Sequence, residues 1–233
     1  MRKHFITFSD SKYNTTKLRI YNEAVNSNFF DTITLYGESD LPDSLLSYCL
    51  ANERGFGFWS WKPFIVKTHL GKIEFNDILI YCDVGCIINP NGIVRFNEYI
   101  ELLKKYEMLA FQMHHLEKEY TKMDTLISLK GEHLSDTGQI AATSFLLKKT
   151  NNTLDIINNW NEYSNDKHLI DDSESIIQND SSFKDHRHDQ SILSILCKMN
   201  NVHLLGNEIW MALDKLGNIF DNNYPLHGAR LKY

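Results

Sequence analysis

A chain of 233 residues that is 42% hydrophobic and 23% charged has the makeup of an ordinary folded, water-soluble domain, able to bury roughly 70–75% of its unfolded surface, which excludes disorder. Its 24 Lys and Arg stand against 30 Asp and Glu, a net charge near -6, so no bulk positive field exists to hold a nucleic acid or an anionic bilayer. Four cysteines are too few for a disulfide scaffold and no stretch of about 18 apolar residues runs together to span a membrane, so one domain over residues 1–233 with buried free thiols is expected.

Phe5 to Phe8 is too short an apolar run for a secretory signal, so a cytosolic chain is expected, and it reads as a first strand. A helical pattern around Leu18 to Val25 leads to a second strand, Phe30 to Tyr36, ending at Gly37. Pro42-Asp43-Ser44 opens a helix that runs through Leu45, Leu46 and Leu50 and stops at Gly55, and Pro63 suits the first turn of another that stops near Gly71. Ile78 to Cys82, between Asn76-Asp77 and Asp83, has the character of a parallel strand buried on both faces. Further strands are expected at Met108 to Gln112, Ala141 to Leu147 and Val202 to Leu205, with helices around Glu98 to Tyr106, Thr153 to Tyr163 and Asp189 to Met199. Ser164 to Lys184 is polar and acidic and reads as a long surface loop, and the alternation as a whole argues for α/β layers.

In open α/β sheets ligands bind at the carboxyl ends of strands, where loops and helix N-termini converge. Two such ends are polar here, Thr7-Phe8-Ser9-Asp10 and Asp83-Val84-Gly85. An aspartate released from an apolar strand, with a glycine two residues on, reaches a divalent cation while the backbone lets a ligand approach; on spacing alone an ordinary turn aspartate is favoured. In Gly55-Phe56-Gly57-Phe58-Trp59-Ser60-Trp61-Lys62-Pro63 the aromatics are assigned to packing, leaving Trp61 as a wall for a ring and Lys62 as a phosphate contact. His186-Arg187-His188-Asp189-Gln190-Ser191 stands where a helix begins, so Asp189 is either its N-cap, worth about 1 kcal/mol, or a base facing the loops. The two histidines, one residue apart, turn to opposite sides of a strand and do not make a zinc pair. His227-Gly228-Ala229-Arg230 offers a late ligand or phosphate contact.

Gly57-Phe58-Trp59-Ser60-Trp61-Lys62-Pro63, Asp77-Ile78-Leu79-Ile80-Tyr81-Cys82-Asp83-Val84-Gly85-Cys86 and Arg187-His188-Asp189-Gln190-Ser191 resemble the successive motifs of a family of small bacterial and viral glycosyltransferases of the GT-A type, over most of the chain. Weaker similarity lies in Thr7 to Asp10, Tyr120-Thr121-Lys122-Met123-Asp124 and Gln139-Ile140-Ala141. The resemblance implies a single Rossmann-like GT-A domain with a mostly parallel central sheet flanked by helices. It also implies hexosyl transfer from a nucleotide-sugar, a UDP-hexose first of all, to a hydroxyl of a capsule, lipopolysaccharide or glycoprotein glycan, free or lipid-linked. Asp83 falls where GT-A enzymes carry an Asp-x-Asp motif for Mn²⁺ or Mg²⁺, and Gly85 replaces the second acid; His227 resembles the C-terminal histidine that completes the metal site in some GT-A families.

On this reading the donor meets Thr7, Phe8, Ser9, Asp10, Trp61, Lys62, Asp83, Gly85, Arg187, Gln190 and Arg230, the metal meets Asp83 and His227, and Asp189 is catalytic, as the base of an inverting transfer or, in a retaining one, as a contact to the donor sugar's hydroxyls or anomeric carbon. Such acceptors imply a cytoplasmic protein with peripheral contact to the inner membrane surface. The rival readings are a non-catalytic nucleotide- or carbohydrate-binding module and, behind it, a metal-dependent hydrolase using His186, His188 and Asp189.

Overall fold

The computed structural model describes residues 1–200, 202–210 and 223–232. Along the chain run β1 (Lys3–Phe8), α1 (Asn14–Ser27), β2 (Thr32–Tyr36), α2 (Asp43–Ala51), the short α3 (Gly55–Phe58), α4 (Trp61–Leu70), β3 (Ile78–Cys82), β4 (Ile87–Ile88) and α5 (Ile93–Lys105). There follow β5 (Met108–Leu116), α6 (Glu117–Tyr120), α7 (Met123–Ser128), β6 (Gly138–Lys148), α8 (Asn151–Tyr163), α9 (Lys167–Ile170), α10 (His188–Met199), β7 (His203–Leu205) and β8 (Leu226–His227). Six strands form one sheet in the order β2-β1-β3-β6-β5-β7, with β6 antiparallel to both neighbours and the remaining pairs parallel.

The period-2 alternation of the strands sends side chains into two apolar layers. In β3, Leu79 and Tyr81 enter the layer that holds Ile65 and Leu70 of α4, Ile156 and Trp160 of α8, and Ile192 and Leu196 of α10. Ile78, Ile80 and Cys82 enter the other, with Ile20 and Ala24 of α1 and Phe96 and Leu103 of α5. The result is the expected α/β class, a mostly parallel sheet with helices on both faces. All four cysteines are buried free thiols, and among the described residues no helix is long and apolar enough to cross a membrane.

The differences from expectation have physical causes. Phe30 belongs to an aromatic cluster with Phe5, Phe29 and Phe96, so β2 starts two residues later than the apolar run. The start of α5 escapes a periodicity reading because Ile93 and Val94 are exposed and break the apolar pattern. β5 runs on to Leu116 through two register shifts against β6, which a period-2 pattern does not reveal. The acidic stretch Ser164 to Lys184 contains α9 and is tethered: buried Lys122 donates from Nζ to the Ser173 carbonyl (3.2 Å) and pairs with Asp171 (3.4 Å), and Asp124 accepts from the Ile176 and Ile177 amides.

Candidate active site

The carboxyl ends of β1 and β3 open into a cleft of about 650 Å³, bounded by the Gly55–Lys62 segment, the Asp185–Gln190 segment and the tail at Arg230 to Lys232. Gly55, Phe56, Gly57, Phe58 and Trp59 have φ of 58°, 51°, 80°, 55° and 57°, a turn of left-handed helix closed by Phe58 N–H to Arg54 O (2.8 Å) and Trp59 N–H to Gly55 O (3.2 Å). This hand costs each non-glycine residue about 1–2 kcal/mol, and glycine carries it at two of the five positions. A Cβ at Gly55 would lie 2.3 Å from the Trp59 ring and one at Gly57 2.8 Å from Cys49 Cα. The turn sets Trp61 flat on Phe8, ring centroids 4.0 Å apart, with its Nε1–H on the Gly55 carbonyl, and α4 then carries Lys62 inward.

Lys62 is the hub of the site. Its Nζ lies 2.9 Å from Asp83 Oδ1 and 3.4 Å from Asp189 Oδ2 and donates to the Ala142 carbonyl at 3.2 Å. The Tyr81 hydroxyl donates to the same Asp83 oxygen at 2.6 Å. Side-chain exposure is 3% for Lys62 and 4% for Asp189 but 31% for Asp83, so the two deep charges sit behind one that meets the cleft. Burial pushes the Asp189 carboxyl up to about 7, with Lys62 opposing that rise and Asp83 adding to it. Burial also works against the Lys62 charge, but Asp189 and Asp83 together outweigh it and hold the ammonium above its ordinary range. The arrangement suits a carboxylate that exchanges a proton near neutral pH beside a fixed positive charge.

Asp189 is not a helix cap: α10 begins at His188 with Arg187 at the N-cap position, and Asp189 lies in the first turn. It is held there from several sides. Trp160 Nε1–H donates to the Asp189 carbonyl (2.9 Å), Gln190 accepts from the Ala142 amide (3.2 Å) and donates to Gln139 (2.8 Å), and His188 sits at φ 53°. His186 and His188 both line the cleft but each spends one ring nitrogen on the Leu169 or Ile170 carbonyl, and His186 also accepts from the Lys122 amide (3.2 Å), so among the described residues they are not grouped with a third ligand as the hydrolase reading needs.

Of the donor residues expected from the sequence, Phe8, Ser9, Asp10, Trp61, Lys62, Asp83, Gly85, Arg187, Gln190 and Arg230 line the cleft with Asp189, whereas Thr7 is enclosed within β1 and does not. Asp10 takes the cap position of a 3-10 turn by accepting from the Lys12 amide (3.0 Å), and burial raises its carboxyl above the ordinary range. Lys62 stands apart from its expected role, because its charge is met by two carboxylates instead of facing a phosphate. Arg54, unremarked in the sequence, bridges Asp172 (2.8 Å) and Asp185 (2.5 Å) at the rim, a tie between distant segments that no local pattern announces.

Among the described residues, Asp83 and His227, the ligands that the resemblance implies for a metal ion, do not both line the cleft. Asp83 Oδ1 already holds an ammonium and a hydroxyl, and a Cβ at Gly85 would fall 3.1 Å from Arg230 Cα and the Leu231 carbonyl, so the tail occupies the space a second acid would need. His227 pairs through β8 with Ile87 of β4 and does not line the cleft. No three His, Cys, Asp or Glu side chains among the described residues are grouped to hold an ion.

No known family model matches the chain, and no curated protein matches it in sequence. Its fold is similar to that of a glycosyltransferase involved in the glycosylation of the major capsid of PBCV-1, with a TM-score of 0.53 at 10% identity over 100% of this chain and 96% of that one. It is also similar to the WbbM bifunctional glycosyltransferase, with a TM-score of 0.51 at 9% identity over 88% of this chain and 39% of the larger one. At these identities the likeness is one of fold: the chain has the α/β architecture of GT-A-like glycosyltransferase structures.

Proposed function

We propose that the protein is a glycosyltransferase that moves a hexose from a nucleotide-sugar, a UDP-hexose first of all, to a hydroxyl of a glycan acceptor on a surface polysaccharide or glycoprotein. The observation that carries the reading is the buried Asp189 carboxyl, poised near pH 7 at the carboxyl edge of the sheet and 3.4 Å from Lys62. The likeness of fold to glycosyltransferase structures supports it. The stacked Phe8–Trp61 pair offers a wall for the nucleotide or sugar ring. Asp189 takes the proton of the acceptor hydroxyl as its oxygen attacks the anomeric carbon, and Lys62 keeps that carboxyl ionised often enough to act. Asp83, the exposed member of the cluster, orients donor hydroxyls at the mouth.

A panel of nucleotide-sugars, UDP-hexoses included, incubated with glycan acceptors tests this by release of nucleoside diphosphate. Turnover of at least one donor is expected. Stabilisation by a ligand with no turnover of any donor would leave the binding-module reading in its place.

A further inference from the structure

Lys62 cannot serve a second anion while it balances Asp83 and Asp189, so the negative charge of a donor needs another partner. Arg187 and Arg230 both line the cleft, and neither forms an ion pair with a carboxylate among the described residues. Each is held by an aromatic face instead: the Arg187 guanidinium lies 4.0 Å from the Tyr120 ring centroid and that of Arg230 4.7 Å from Trp210. Stacking fixes the plane of a guanidinium and leaves its edge N–H groups free to bond an anion. Burial lowers the Arg187 pKa, and the charge of Arg230 adds to that, so the two cations feel one another across the cleft. Of the other cations lining the cleft, Arg54 is engaged with Asp172 and Asp185 and Lys12 with Glu53, while Lys232 is exposed near the end of the same tail and, among the described residues, is not held by an aromatic face. The Arg187 backbone also forms the N-cap of the 12-residue α10, whose dipole favours an anion at that end.

We infer that Arg187 and Arg230 together form the diphosphate-binding site of this cleft and carry the charge of the departing nucleoside diphosphate without a divalent metal ion. The inference rests on the glycosyltransferase reading for the identity of the ligand. In the transfer, the bond between the anomeric carbon and the β-phosphate oxygen breaks with its electron pair going to that oxygen. The acceptor oxygen bonds the same carbon, and its proton goes to Asp189. Two arginines match the two charges of the bound diphosphate linkage and are positioned for the extra charge that appears on the leaving oxygen. A divalent ion at Asp83 would instead share that carboxylate with the Lys62 ammonium and meet its repulsion. The tail that fills the space over Gly85 is also the segment that presents Arg230, so one segment both closes the space a second acid would need and supplies the arginine.

Calorimetric titration with UDP, GDP, ADP, CDP, inorganic pyrophosphate and uridine, in EDTA and again in Mn²⁺, tests the site. At least one nucleoside diphosphate is expected to bind in EDTA within about 3-fold of its affinity in Mn²⁺. Arg187→Gln and Arg230→Gln are each expected to weaken that binding roughly 10- to 100-fold, the range for a lost charged hydrogen bond, and to leave uridine unaffected. Arg187→Lys, which keeps the charge and loses the planar fork, is expected to fall between, which separates loss of charge from a packing defect at Tyr120. Binding that EDTA abolishes and Mn²⁺ restores, with the arginine variants equal to the parent, would overturn the inference and leave the glycosyltransferase reading intact. Failure of every diphosphate to bind under either condition would overturn both.

Discussion

At the scale of single residues, the site is an electrostatic balance in which one ammonium stabilises two carboxylates of unequal burial. Asp83 at the end of an apolar strand is legible in the sequence, as is Asp189 at a helix start, since each carries a local signal. The partnership of Lys62 with both is not, because an ion pair between remote segments leaves no periodicity, and the lysine reads as a free phosphate contact. The balance gives two measurable consequences. Lys62→Met removes the charge that opposes the rise in the Asp189 pKa, so the acid limb of the pH–rate profile, near pH 7 in the parent, is expected to move up by about one unit or more; an unmoved limb would detach Lys62 from Asp189. Asp189 has a folded pKa raised from 3.8 to about 7, so the stability it contributes is fully present below the unfolded value and is lost as pH rises through 7. Asp189→Asn, which does not ionise, is therefore expected to be more stable than the parent by a margin that widens between about pH 4 and 7 and then levels, on the order of 2–4 kcal/mol at its largest. Denaturant titrations across that range measure it, and a constant or narrowing margin would contradict the buried-carboxyl assignment.

At the scale of elements, the left-handed turn at Gly55 to Trp59 is the device that aims Trp61 and Lys62. The sequence shows the two glycines and the proline that starts α4, but mirror-handed backbone has no propensity signature, so the apolar pattern carries α2 to Gly55 although it ends at Ala51. Gly57→Ala places a Cβ against the Cys49 backbone at φ 80°, and a loss of roughly 2–3 kcal/mol in unfolding free energy is expected from strain and clash together. A Gly57→Ala variant that unfolds at the same denaturant concentration as the parent would show that the turn accommodates a side chain there without cost. The 164–187 segment illustrates a second limit of sequence reading: its composition is that of a solvated loop, yet Lys122, Asp124, His186 and His188 fix it to the body through backbone carbonyls and amides.

At the scale of the whole molecule, strands such as Ile78–Cys82 are readable because burial on both faces writes a continuous apolar run, and the two layers around the sheet follow from that alternation. The two-residue strands β4 and β8 are too short to leave a pattern, although they fix the tail that carries Arg230 toward the cleft. The architecture brings three segments from separate parts of the chain to one sheet edge, and the central claim is that Asp189, at their meeting point, is the base of a sugar transfer. The most direct test is the transfer rate of Asp189→Asn against the parent with a donor that the parent turns over, alongside donor affinity. The account predicts affinity within a few-fold of the parent and a rate lower by roughly 10²- to 10⁴-fold, the usual worth of general base catalysis, whereas transfer at the parent rate would contradict it.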